Sequence, residues 1–504
     1  MKHTARNAIL SGLLAASMAF STVPATAFAT PTSKTDVADS TVTISGLKAG
    51  DTVSAYLIAD ADIDANNNLS WKMAEGLPTD YDTIAELSAV TPSDGYTFTS
   101  VGTPAQTAAG AIAASAAVTG GTAAASPTAT SDSVQLTLGS GYYLVRVTNG
   151  TGNNDTVYQN MLVDLTPKAA ENGVDYAPHD TVTATAKKED VSLDKKSKDV
   201  DETTFEKTAV NTFKVGDTVP FQITTAVPSY PDGATNAVFN VKDDPDEGLK
   251  IDPSTVVVKL GDTTVNAKDG DVTNYTVKGG NQDGAAMTIQ FSEAWTKAHP
   301  GASVTITYSA ALTEKAKVTK TGETVDYTNN KATVEYSPDT NTTTTTETDY
   351  KTVDVHTYGL EFVKKGDNKP LQGAEFTIYD ADGNVVTTAT NSANGVATSD
   401  ASGYVWFGGL AAGTYTIKET KVPAGYQKVQ DFTVTLDDND TSDNPATTDV
   451  AEANFELVGD KVDPKQAVLP VTGDAGIFGI TIAGVLLAAG GVMLVVAVRK
   501  RGQE

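Results

Sequence analysis

The chain of 504 residues has no cysteine, only four histidines and three tryptophans, and fewer basic residues (36) than acidic ones (63). Without cysteine there is no disulfide frame, no thiolate metal site and no thiol nucleophile, so an exported domain of this chain must be held together by other means. His3, His179, His299 and His356 are too scattered for a metal pair or a catalytic triad. The net charge of -27 and pI near 4.4 exclude a nucleic-acid-binding surface as the main business and serve solubility instead. Carboxylate pairs are so common in a chain this acidic that none marks a hydrolytic site. Asp62 to Asn68 is rich in oxygen ligands but lacks the EF-hand pattern and reads as a loop. Trp71, Trp295 and Trp406 read as core or hinge residues. No metal, no cofactor and no enzyme activity is expected. Long apolar runs are also scarce, one at each end of the chain.

Between those ends, short alternating runs recur, bounded by Gly, Asn and Asp. Val53-Ser54-Ala55-Tyr56-Leu57-Ile58, Tyr142 to Val147, Val304-Thr305-Ile306-Thr307-Tyr308 and Tyr415-Thr416-Ile417 are examples. A period of two places alternate side chains on one buried face and predicts antiparallel strands. Their spacing predicts an all-β chain of tandem Ig-like β-sandwich domains, and the length suits three. Low-complexity stretches divide the chain: 30–188, with an Ala-rich surface insertion over Gly102 to Ser133 that forms a short helix at Ala108 to Ala117; 189–337; a Thr-rich linker, 338–349; and 350–459. Residues 460–504 follow as stalk and tail.

The N-terminus (1–29) pairs Lys2 and Arg6 with the apolar run Ile9 to Phe20 and the small-x-small site Ala27-Phe28-Ala29, which predicts a secretory signal peptide cut after Ala29. The second apolar run, Ala475 to Val498, is long enough to cross a bilayer as a helix, and Arg499-Lys500-Arg501 holds its far end in the cytoplasm. Just upstream stands Leu469-Pro470-Val471-Thr472-Gly473. This pentapeptide, span and basic tail together resemble the cell-wall sorting signal read by sortases of Gram-positive bacteria. The resemblance implies that a sortase cysteine attacks the Thr472 carbonyl, releases Gly473 onward, and passes the acyl group to an amine. The chain is then the substrate, held in the membrane only transiently.

In the last domain, Tyr415-Thr416-Ile417-Lys418-Glu419-Thr420-Lys421-Val422-Pro423-Ala424-Gly425-Tyr426 resembles the E-box of Gram-positive pilins, and the domain is similar to a Cna-B module. The resemblance implies an internal isopeptide bond between a first-strand lysine and a last-strand asparagine, assisted by the E-box glutamate: Lys364, Asn454 and Glu419. Alternation with Leu360 and Phe362 favours Lys364 over Lys365. The middle domain is similar to that of three-domain pilins, which implies a second set. Lys195 alternates with Val191 and Leu193, Asp243 with Phe239 and Val241, and Asn330 with Ala332, Val334 and Tyr336. Their neighbours Lys196, Asp244 and Asn329 fall on the opposite face. The first domain has no glutamate where an E-box would fall, so no bond is expected there.

Backbone pilins carry a linking lysine between their first two domains, in a Val-x-Val-Tyr-Pro-Lys motif. The corresponding stretch here is Val182-Thr183-Ala184-Thr185-Ala186-Lys187-Lys188, which keeps the leading valine and the place in the chain but not the Tyr-Pro. Lys187 is the first candidate, Lys188 the next and Lys168 the third. The expectation is a wall-anchored, polymerised pilus subunit that supports adhesion. Its partners would be pilus-type and housekeeping sortases, further copies of itself, peptidoglycan and tip or accessory pilins. The alternative is a monomeric wall-anchored adhesin for a host protein or glycan.

Overall fold

The computed structural model describes residues 37–64, 66–90, 103–150, 156–171, 175–231, 234–318, 326–338, 343–389, 393–436 and 455–465. Ala29, Asn454 and the 469–473 pentapeptide lie outside the described residues, as does the Ala475 to Val498 run. Among the described residues no helix is long and apolar enough to cross a membrane.

Alternating apolar residues build three hydrophobic cores in chain order. The first lies between a three-stranded sheet (Val182–Thr185, Ser40–Ser45, Ser133–Leu138) and a four-stranded sheet (Leu69–Met73, Thr52–Ile63, Gly141–Thr148, Met161–Leu165). The Ala-rich segment differs from the expected surface insertion. Its helix Pro104–Ala113 begins with a Thr103 cap, whose Oγ1 accepts from Gln106 N at 3.3 Å. Ala108, Ala109, Ile112 and Ala113 are fully buried in the first core. Small side chains let a helix backbone lie close to a sheet, so an Ala-rich composition served burial here.

The second core lies between the five-stranded sheet containing Leu193–Ser197, Thr218–Ala226 and Ser303–Leu312 and the sheet containing Phe239–Pro245 and Thr328–Tyr336. The latter sheet corrects the expected boundary at 337. Thr346–Glu347 pairs with Glu335 and Tyr336, and Lys351–Val355 runs antiparallel to Thr328–Tyr336 with Val353 and Val355 buried. The Thr-rich stretch expected as a linker is therefore an excursion within the second domain, whose sheet runs on through Val355. Polar, turn-rich composition marks a loop equally well inside a domain and between two.

The third core joins the sheet of Tyr358–Gly366 and Tyr404–Leu410 to the sheet of Val396–Thr398, Glu375–Tyr379, Gly413–Lys421 and Phe432–Leu436. Two late segments add to the first of these. Phe455–Leu457 and Lys461–Asp463 both run parallel to Tyr358–Gly366, pairing Gly359 with Phe455 and Lys364 with Lys461. The segment expected as a polar stalk from 460 onward thus begins as a strand of the domain.

The domains meet through polar contacts. Lys188–Asp190 pairs with Thr156–Tyr158, and the fully buried Tyr336 accepts from Thr156 N through its hydroxyl at 3.1 Å. Val215 N donates to Gly409 O at 2.9 Å between the second and third domains.

Candidate cross-linking sites

In the second domain, alternation along Leu193–Ser197 sends Lys195 inward and leaves Lys196 half-exposed. Asp243 and Asn330 are likewise fully buried, and Asp244 and Asn329 turn outward. The sandwich brings these three side chains together from both sheets. Lys195 Nζ donates to Asp243 Oδ2. The Tyr308 hydroxyl donates to the same oxygen and accepts from Asn330 Nδ2 at 3.3 Å. Phe221 and Tyr308, stacked at 5.6 Å, lie 5.4 and 5.8 Å from the ammonium.

Burial in this apolar setting pushes the Lys195 amine down to about 8, against the pull of Asp243. Burial, with the charge of Asp243, holds the Tyr308 hydroxyl well above its ordinary value, so it stays a donor. Asp243 Oδ1 and Asn330 Oδ1 have no hydrogen-bond partner, an uncommon condition for buried oxygens. A buried amine lowered toward neutrality, a carboxyl and an amide share one dry cavity, which is the equipment for acyl transfer to nitrogen.

The third domain repeats the arrangement with a different acceptor. Lys364 is fully buried beneath Phe376, whose ring lies 5.6 Å from Nζ, while Lys365 is half-exposed. Glu419 reaches it from the neighbouring sheet at 3.6 Å and accepts from Val429 N at 2.8 Å. Burial raises the Glu419 carboxyl above its ordinary value, and the nearby Asp463 adds to the rise. Lys364 Nζ donates to Asp463 Oδ1. Asp463 is fully buried, and its Oδ2 and Glu419 Oε1 lack hydrogen-bond partners.

Sequence reasoning missed Tyr308 and Asp463. Tyr308 shares the inward face of Val304 and Ile306, so alternation marked it as buried, but a buried tyrosine alone carries no functional signal. Asp463 sits in a short polar run whose pairing only the tertiary structure reveals.

Of the linking candidates, Lys187 follows the buried Val182, Ala184 and Ala186 and is itself partly buried. Its carbonyl accepts from Gln159 N at 2.9 Å, and no partner of its ammonium is found among the described residues. Lys188 is paired through its backbone to Tyr158. Lys168 is half-exposed and donates to Asp180 at 2.7 Å. No lysine is buried among the described residues of the first domain.

Comparison with known proteins places two segments. Residues 356–450 match the SpaA family, described as a prealbumin-like fold domain, and residues 461–504 match the LPXTG cell wall anchor motif. The chain is 28% identical over 228 residues to the trypsin-resistant surface T6 protein of Streptococcus pyogenes serotype M6, an alignment spanning 43% of this chain and 40% of that protein. Its fold is similar to that of the T6 backbone pilin of serotype M6 Streptococcus pyogenes, a modular three-domain structure. That match has a TM-score of 0.58 at 20% identity, covering 80% of this chain and 81% of the other. The major pilin SpaD of Corynebacterium diphtheriae aligns at TM-score 0.48 and 18% identity over 85% and 98% of the two chains.

Proposed function

We propose that this chain is the backbone subunit of a covalent, sortase-assembled surface pilus. The observation that carries this reading is an LPXTG anchor at 461–504 on a chain of three consecutive β domains with a partly exposed lysine at the first junction. Homology to the T6 protein supports a shaft over a monomeric adhesin, because the matching T6 structure is that of a backbone pilin.

A sortase cysteine attacks the Thr472 carbonyl carbon, and the Thr472–Gly473 peptide bond breaks. The neutral Lys187 amine of the next subunit then attacks the acyl-enzyme, giving an amide and the free sortase thiol. Repetition head to tail gives an open filament. Transfer to a peptidoglycan amine by a housekeeping sortase ends growth and fixes the fibre to the wall. The catalytic cysteine belongs to the sortase, since this chain has none.

Within the second domain, Lys195 Nζ bonds to the side-chain carbon of Asn330. Proton transfer from Lys195 to Asp243 removes both charges from a dry core and frees the amine lone pair. Asp243 delivers that proton to the departing nitrogen and takes up the second proton that the attacking nitrogen sheds, so the amide forms and ammonia leaves. The amide joins the two sheets of the sandwich, so tension crosses the domain through covalent bonds.

The test is a denaturing gel of boiled cell-wall extract from wild type and Lys187→Ala cells, probed for this protein. A wild-type ladder that collapses to monomer in the variant is expected. A ladder surviving Lys187→Ala keeps the shaft and moves the linkage to Lys188 or Lys168. A single monomer band in wild type refutes the shaft and leaves the adhesin.

A further inference from the structure

We propose that Gln159 is a positioning residue for the acceptor lysine, and that the Ala-rich helix Pro104–Ala113 is the brace that holds Gln159 in place. The inference deepens the proposed function and rests on Lys187 as the linking residue. Lys187 lies between two strands, Val182–Thr185 and Lys188–Asp190, where the chain leaves one sheet and joins another. On one side Ala186 N donates to Ser45 O at 2.8 Å, beside the strand Ser40–Ser45. On the other Lys188 pairs with Tyr158. Between them the Lys187 carbonyl accepts from Gln159 N at 2.9 Å, so the place of the lysine main chain depends on Gln159.

The Gln159 side chain is buried and joins three parts of the molecule. Its Nε2 donates to Ser229 O of the second domain at 2.6 Å, and its Oε1 accepts from Gln106 Nε2 of the helix. A main-chain carbonyl only accepts, so Gln159 turns its NH2 toward Ser229 and its oxygen toward Gln106, which in turn must present its own NH2. The direction of the relay is thereby fixed. Gln106 Oε1 is left at the far end, buried and without a hydrogen-bond partner, an uncommon state that goes with placing the donor. The Thr103 cap bonds the Gln106 main chain, and the buried Ala108, Ala109 and Ala113 seat the helix on the first core. The second domain closes on the same strand. A Cβ at Gly301 would lie 3.1 Å from Glu189 Oε1 and 3.3 Å from Ser229 Oγ, so the acceptor strand and Ser229 both crowd that glycine.

Gln159 touches no reacting atom and acts through the Lys187 main chain. A nucleophile displaced by about 1 Å can lose on the order of 100-fold in rate, so holding that carbonyl between two domains bears on transfer itself. Replacing the amide with an apolar side chain leaves Ser229 O and Gln106 Nε2 unpaired and loosens the seam in which Lys187 sits.

The test is acceptor kinetics with the full chain in detergent, carrying Thr472→Ala so that it accepts without donating. The enzyme is a purified pilus-type sortase from the cells that make this chain, acylated by a saturating Leu-Pro-Val-Thr-Gly peptide. Gln159→Leu is expected to lower kcat for transfer to Lys187 by about tenfold or more with little change in KM, and Gln106→Leu to lower it in the same direction. A mere loss of folded acceptor would raise KM and leave kcat alone. Wild-type kcat in both variants, or a rise in KM alone, overturns the inference. Acetylation of Lys187 by N-hydroxysuccinimidyl acetate should match wild type in Gln159→Leu, since the amine stays accessible; a slowed acetylation, which would mean a covered amine, also overturns it. With Thr472 intact, hydroxylamine-driven release at Thr472 is expected at the wild-type rate in Gln159→Leu, and an equal fall there refutes a role specific to the acceptor. Acceptor activity that survives Lys187→Ala removes Lys187 as the linking residue and this inference with it. An inactive Lys187→Ala beside a fully active Gln159→Leu refutes the positioning role alone.

Discussion

Substituting Asn330→Ala isolates the covalent contribution to the second domain. The substitution removes the acyl donor but leaves Lys195 paired to Asp243 and Tyr308 bonded to Asp243, so no buried charge is stranded. A bond between positions 195 and 330 closes a loop of well over a hundred residues. The chain-entropy model assigns about 5 kcal/mol to a cross-link of that span. For a domain of this size each kcal/mol moves the midpoint by about 2–4 °C, so the second-domain transition should fall by roughly 10–20 °C. Scanning calorimetry of the purified protein measures the shift, and the intact mass of the same sample reports the bond. Wild-type protein is expected to be lighter by ammonia at this site, with the deficit absent from the variant. An unreacted wild-type site, or a variant melting with wild type despite its missing bond, would refute the reasoning.

Further outcomes follow from the same geometry. Asn330→Ala leaves a free, buried Lys195 whose amine titrates near 8 when folded and near 10.5 when unfolded. Between those values the unfolded chain binds the extra proton, so folding should strengthen by about 3 kcal/mol as pH rises from 8 to 10.5. Denaturant titrations should show this rise in the variant and not in wild type, where the nitrogen is an amide; equal slopes would argue against the bond. Tyr308→Phe strips one donor from Asp243 and, before the bond closes, leaves Asn330 Nδ2 without its acceptor, which should lower the fraction cross-linked in freshly made protein, measured by mass. A fragment of the second domain ending at Ser337 should lose the cooperative melt that one ending at Val355 keeps, because only the latter contains the strand covering Thr328–Tyr336. Equal melting of the two would restore the boundary at 337.

What the sequence determined by itself was local. Alternation of apolar and polar residues put Lys195, Asp243, Asn330 and Lys364 on inward faces and their neighbours outward, because a strand turns each successive side chain to the opposite side. The all-β class rests on the same period. The cell wall anchor motif is equally legible, because sortase recognition acts on an extended segment and not on a fold. What only the tertiary structure decided was non-local. Which strand a short polar run joins is set by pairing across the domain, so Lys351–Val355 belongs to the second sheet despite the Thr-rich stretch before it. Lys461–Asp463 likewise reads as stalk until its parallel register against Tyr358–Gly366 is known. The family resemblance marked Asn454 and left Asp463 unremarked; only strand pairing shows that Asp463 lies beside Lys364.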